Sequence, residues 1–175
     1  MGRFSKKNRV ITEQIQIISH SRRAAFASGY MKSLAIEIAK MATEDNLTFA
    51  YGADNIIEYS VNLAPHQSNY IHYEQSGSIN VNISHFGDPL SGNDAIGNVI
   101  NIHSNVDTTG GIIHQHGTRS FSSELNGVLN ILKNKGNKES TFLSLKQFYQ
   151  KWDSSYNSQG QKRFRGISSS VKDGR

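Results

Sequence analysis

The chain alternates between stretches of helical and strand periodicity. From residue 21 to 43, Ala27, Met31, Leu34, Ile38 and Met41 recur on one face of a 3.6-residue repeat, which predicts a helix. Asn46 is a suitable stop, and Leu47–Tyr51 reads as a first strand ended by Gly52. Over 55–63 the period becomes two: Ile57, Tyr59, Val61 and Leu63 alternate with Glu58, Ser60 and Asn62. Asn69–Glu74 and Ser78–Ser84, separated by Gln75-Ser76-Gly77, read as a hairpin. A loop follows over 85–97, then a strand over Asn98–His103 and a short strand over Ile112–His116. Helical spacing returns over 120–135, where Phe121, Leu125, Val128, Leu129 and Leu132 share a face. Ser122 or Ser123 is placed to cap that helix and Gly136 to stop it. A second C-terminal helix is expected over 140–152.

A helix, then four to six strands, then one or two helices is an α+β pattern. The expected sheet is mixed and mostly antiparallel, with an N-terminal helix and one or two C-terminal helices. Residues 1–20 read as a basic arm containing the short apolar run Ile15-Gln-Ile17-Ile18, 21–156 as one α+β domain, and 157–175 as a basic polar tail. At 175 residues and 36% hydrophobic content the chain suffices for one core. No apolar run approaches the roughly 18 residues of a membrane span. The basic start is not followed by a signal-like apolar core, so a cytoplasmic location is the default expectation.

Charge sharpens this picture. Residues 1–43 hold eight Lys/Arg against two acids, and 132–175 hold ten against three. The stretch 44–131 holds nine acids and a single basic residue, Arg119. Basic ends suit phosphate-rich or acidic partners, and an acidic middle suits a cation. There is no cysteine, so a metal would be held by His, Asp, Glu or water.

The most suggestive chemistry is Gly110-Gly111-Ile112-Ile113-His114-Gln115-His116-Gly117. On a strand, His114 and His116 would face the same way and supply two imidazoles to a divalent metal. A catalytic zinc needs a third ligand and a carboxylate to move the proton of its water. Glu58, Asp107 and Glu124 are the carboxylates to consider, and His103 is a further ligand option. His20, His66, His72 and His85 read as surface or capping residues.

Glu58 on a strand, a hairpin, His114-x-His116, then Ser123 and a helix together resemble the JAB/MPN (JAMM) metalloprotease domain, divergent forms of which occur in bacterial polymorphic toxins. The resemblance spans about residues 21–150. It implies a Zn2+-dependent hydrolase with His114 and His116 as metal ligands, Glu58 as general base and Ser123 supporting the oxyanion. Asn126 stands where the family places its third ligand, an Asp, and Gly117 stands where it places a Pro. The partner implied is a protein substrate.

Other classes fit parts of the chain. An HUH-type nuclease would use the two histidines with Tyr149 as nucleophile. A metal-free ribonuclease toxin would use His114 or His116 with Arg119 and Ser120. A non-enzymatic nucleic-acid-binding or assembly protein would use the basic ends, with Phe148, Tyr149, Trp152, Tyr156 and Phe164 for stacking.

Overall fold

The computed structural model describes residues 9–52, 55–73, 77–85, 88–91, 94–104, 113, 116–134, 137–156 and 164–169, with the last two segments described as backbone only beyond residue 150. The elements in chain order are β1 (Arg9–Ile11), β2 (Ile15–His20), α1 (Arg23–Asp45), β3 (Leu47–Phe49), β4 (Ile57–Leu63), β5 (His72–Tyr73), β6 (Ile79–His85), β7 (Ile96–Gly97), β8 (Val99–Ser104), α2 (Ser122–Lys133), α3 (Lys138–Tyr156) and β9 (Phe164–Ser169). Single 3-10 turns occupy Ser68–Tyr70 and Thr118–Phe121.

The central sheet has the order β2-β4-β6-β8-β9. Every pairing among β2, β4, β6 and β8 is parallel, and β9 alone joins antiparallel at one edge. The small pairs β1–β3 and β5–β7 are parallel too. The protein is therefore α/β, which corrects the expected mostly antiparallel α+β sheet. The expected hairpin does not form: β5 pairs with β7, while β6 lies between β4 and β8.

The physical reason for the discrepancy lies in the side chains. A parallel sheet covered on both faces usually reads as unbroken apolar runs, whereas alternation signals one wet face. Here the strands alternate, yet both faces of the central strands β4, β6 and β8 are largely buried. One face carries Tyr59, Val61, Leu63, Val81, Ile83, Ile100 and Ile102, which form a core with Phe121, Val128, Leu132, Leu145 and Tyr149 of the α2–α3 layer. The other face carries Ser19, Ser60, Asn62, Asn80, Asn82 and Asn101, all buried. Burying an amide without partners costs about 2–7 kcal/mol, so this face has to be closed by hydrogen bonds.

It is closed by a ladder running across four strands. Ser19 Oγ donates to Asn62 Oδ1 (2.5 Å), Asn62 Nδ2 to Asn82 Oδ1 (3.1 Å), and Asn82 Nδ2 to Asn101 Oδ1 (3.4 Å). Asn101 Nδ2 then donates to the Ala95 carbonyl at 3.1 Å and its Oδ1 accepts the Ala95 N–H at 3.0 Å. Tyr73 OH donates to Asn82 Oδ1 from above, at 3.1 Å. A smaller cluster of Ala24, Ile71, Tyr73, Ala95 and Val99 packs over this face. Between α1 and the 70–73 segment a cavity of about 290 Å³ remains.

The two terminal stretches read as an arm and a tail supply β1, β2 and β9. The predicted helices match α1, α2 and α3 closely, and β3, β4 and β8 lie where expected. Of the predicted α1 face, Met31 is buried while Met41 is exposed. Helix α2 is not capped by Ser122 or Ser123: Phe121 occupies the N-cap with no side-chain cap, and Ser122 Oγ donates back to the Arg119 carbonyl. The expected strand over 112–116 is not extended at its described residues, because Ile113 and His116 have helical backbone. No helix among the described residues is long and apolar enough to cross a membrane.

Candidate active site

Parallel strands bring their carboxyl ends, and the loops that leave them, to one edge of the sheet, where ligands of open α/β sheets bind. Described residues that follow three of these strands meet here: Ser21 after β2, Asp88 after β6 and His116 after β8. Strand β2 ends at His20, and Ser21 turns the chain directly into α1 with φ 57°. A left-handed serine is strained by about 1–2 kcal/mol, so the surroundings must hold it. They do: the Ser21 N–H donates to the Leu63 carbonyl (2.9 Å), and its own carbonyl accepts from Ala24 N–H (3.1 Å) and His66 N–H (3.3 Å).

Ser21 Oγ lies 2.7 Å from His116 Nε2. His116 Nδ1 in turn lies 2.6 Å from Asp88 Oδ2. Asp88 follows β6 and its side chain is fully buried, whereas the His116 ring is 18% exposed. Ser91 Oγ also donates to Asp88 Oδ2 (2.6 Å), and Leu90 N–H donates to Oδ1 (2.9 Å). Burial alone pushes the Asp88 carboxyl up. The hydrogen bonds from Ser91, His116 and Leu90, with attraction to His116, outweigh that and hold it below its ordinary value.

An ionised carboxylate only accepts, so Nδ1 of His116 carries the proton and Nε2 presents a lone pair to the Ser21 hydroxyl. The backbone of His116 is clamped as well, since His20 Nε2–H donates to its carbonyl at 2.6 Å. Serine, base and orienting acid thus form one chain of hydrogen bonds, the geometry that activates a nucleophilic hydroxyl.

A buried polar cluster supports the loops from below. His85, at the end of β6, stacks on Phe121 with ring centroids 3.8 Å apart. Its Nε2 lies 2.7 Å from Glu124 Oε2, and both side chains are fully buried. Ser104, at the end of β8, donates to Glu124 Oε1 (2.5 Å). Burial pushes the Tyr149 hydroxyl far up, and the adjacent Glu124 charge raises it further. Glu124 therefore ties the ends of β6 and β8 to α2.

The residues singled out in the sequence fare unevenly. His116 is at the centre of the site, and His114 lies outside the described residues. Glu58 sits near the start of β4, where Gln16 Nε2 donates to it at 2.9 Å. Leu63, the residue of β4 that contacts Ser21, is five positions further on, about 17 Å along the strand. The structure therefore does not bring Glu58 to His116. Ser123 and Asn126 are exposed on α2. His103 is held by Asp94 at 2.6 Å, and Asp107 lies outside the described residues. No cluster of three or more His, Asp or Glu able to hold a metal occurs among the described residues. Tyr149 is fully buried in the core, as helical spacing allows.

Sequence reasoning missed Ser21 and Asp88, and misread His20 and His85 as surface or capping residues. A signal for Ser21 was present. An Ile-rich strand runs without a linker through a serine into a helix, the strand–turn–helix context of a nucleophile elbow. The arm–domain boundary drawn between residues 20 and 21 cuts through that turn. Asp88 carried no comparable signal in the sequence.

Searches against known protein families, characterised proteins and solved structures give no significant match.

Proposed function

We propose that this chain is a serine hydrolase that cleaves acyl esters or amides with Ser21 as nucleophile, His116 as general base and Asp88 as its orienting acid. The observation that carries the reading is the unbroken Ser21–His116–Asp88 hydrogen-bond chain at the carboxyl ends of parallel strands. The order Ser, Asp, His along the chain is also the order used by α/β-hydrolases, a likeness of arrangement alone.

In this reading Ser21 Oγ attacks the substrate carbonyl carbon while its proton passes to His116 Nε2. Asp88 stabilises the imidazolium that forms. Helix α1 starts at Arg23 with no side-chain cap. The first N–H groups of a helix lack intrahelical acceptors. Those of Arg22 and Arg23 follow the nucleophile directly and would stabilise the tetrahedral oxyanion. Collapse of that intermediate breaks the acyl–leaving-group bond, and the leaving atom takes the proton from Nε2. Water, deprotonated by the same nitrogen, then hydrolyses the acyl-serine.

The zinc-hydrolase reading competes for the same lone pair. A metal on His116 would have to displace the Ser21 hydroxyl from Nε2 or Asp88 from Nδ1, and its other proposed residues, Glu58 and Asn126, lie elsewhere. The geometry therefore favours the metal-free hydrolase reading; the nuclease readings need Tyr149 or Ser120, both buried, and the nucleic-acid-binding reading rests on the basic ends and the aromatic residues.

Hydrolysis of short-chain 4-nitrophenyl esters tests the choice. The expected result is turnover that survives EDTA and disappears in Ser21→Ala. Activity lost on chelation, restored by zinc and retained by Ser21→Ala would overturn it in favour of the metal enzyme.

A further inference from the structure

Resting on the serine-hydrolase reading, we infer that the acyl group accepted by this site carries a negative charge near the scissile carbonyl, recognised by Arg23 and Arg119. Both side chains are exposed. Arg23 is two residues past the nucleophile, and Arg119 is three past the general base. Consecutive Cα atoms are 3.8 Å apart, so these arginines stand at most about 8 and 11 Å from Ser21 and His116 by chain length alone. An extended guanidinium covers much of that gap and matches carboxylate or phosphate geometry.

The surrounding charge points the same way. Arg119 is the sole basic residue between positions 44 and 131, a stretch with nine acids. The one Lys or Arg of that stretch thus lies three residues along the chain from His116. Among the described carboxylates, Asp88 is buried in its hydrogen bond to His116, and Asp94 is held against His103. Arg22 adds a third positive charge, next to Ser21 and exposed. An anionic acyl chain would be attracted to this positive rim, whereas a neutral one would gain nothing from it.

The test compares two esters of matched length, 4-nitrophenyl valerate and mono-4-nitrophenyl glutarate, after subtraction of the uncatalysed rates. The glutarate should be favoured about tenfold in kcat/KM, the range of a hydrogen bond to a charged group. Arg23→Gln and Arg119→Gln should each lower that preference about threefold, as expected for partly solvated ion pairs. The double variant should bring the ratio near one, while Lys133→Gln, an exposed cation on α2, should leave it intact. A wild-type preference of one or less, or a preference that survives the double variant, would overturn the inference. So would labelling of Ser21 by a neutral fluorophosphonate without turnover of either ester, which leaves the serine-hydrolase reading standing. Absence of both labelling and turnover would overturn the two together.

Discussion

Replacing Asp88 by Asn changes one atom in the buried acid and should remove nearly all catalysis. The direction follows from the neighbours of the carboxylate. Leu90 N–H points at Oδ1 and can only donate, so in the variant that position must keep the amide oxygen. The new NH2 group then falls at Oδ2, facing Ser91 Oγ and His116 Nδ1. Ser91 can rotate its hydroxyl and accept. His116 Nδ1 must accept too, which moves the imidazole proton to Nε2 and turns an N–H toward Ser21. The serine then faces a donor and has no base. The same exchange in a Ser-His-Asp triad lowers kcat by about 10⁴-fold. That corresponds to about 5 kcal/mol of activation free energy. The fold should survive, at a cost of about 1–3 kcal/mol for the lost charge-assisted bond. The assay is kcat/KM on a 4-nitrophenyl ester beside thermal unfolding of the same preparations. A folded Asp88→Asn protein within tenfold of wild type would refute the tautomer argument.

Because Asp88 is held below its ordinary value, its ionised form stabilises the folded state. That stabilisation is complete above the unfolded carboxylate value of about 3.9 and is lost as pH falls below it through the folded value. Acid unfolding followed by circular dichroism should show this component in wild type and lack it in Asp88→Asn. Glu124→Ala strands buried His85 and Ser104 and should cost about 3–5 kcal/mol in denaturant unfolding, the range for breaking a buried pair. Asn82→Ala removes the acceptor of Asn62 and Tyr73 and the donor to Asn101. It should cost about 2–3 kcal/mol, and a change under 0.5 kcal/mol would show that the ladder is not needed to close the polar face.

The same ladder explains what the sequence conceals. Helices α2 and α3 were legible because Val128 and Leu132 in one, and Leu145 and Tyr149 in the other, recur at helical spacing and are buried accordingly. Strands β4 and β8 were legible from their alternation. Their direction was not, because alternation with Asn and Ser imitates a solvated antiparallel face until the cross-strand partners are known. Strand β2 escaped notice as a half-exposed edge, with Ile18 51% exposed and Ser19 buried. The triad is harder still to see: its members are 67 and 28 residues apart, and only the parallel crossovers bring them together. His116 could be found because it stands in a conspicuous His-x-His, but the partners the structure gives its ring are Ser21 and Asp88.

Covalent labelling tests the central claim most directly. Wild-type protein treated with a fluorophosphonate should gain the mass of one adduct, located on the peptide carrying Ser21. The adduct should be absent from Ser21→Ala and greatly slowed in His116→Ala. Labelling elsewhere, no labelling of folded protein, or unchanged labelling in His116→Ala would contradict a Ser21 nucleophile activated by His116.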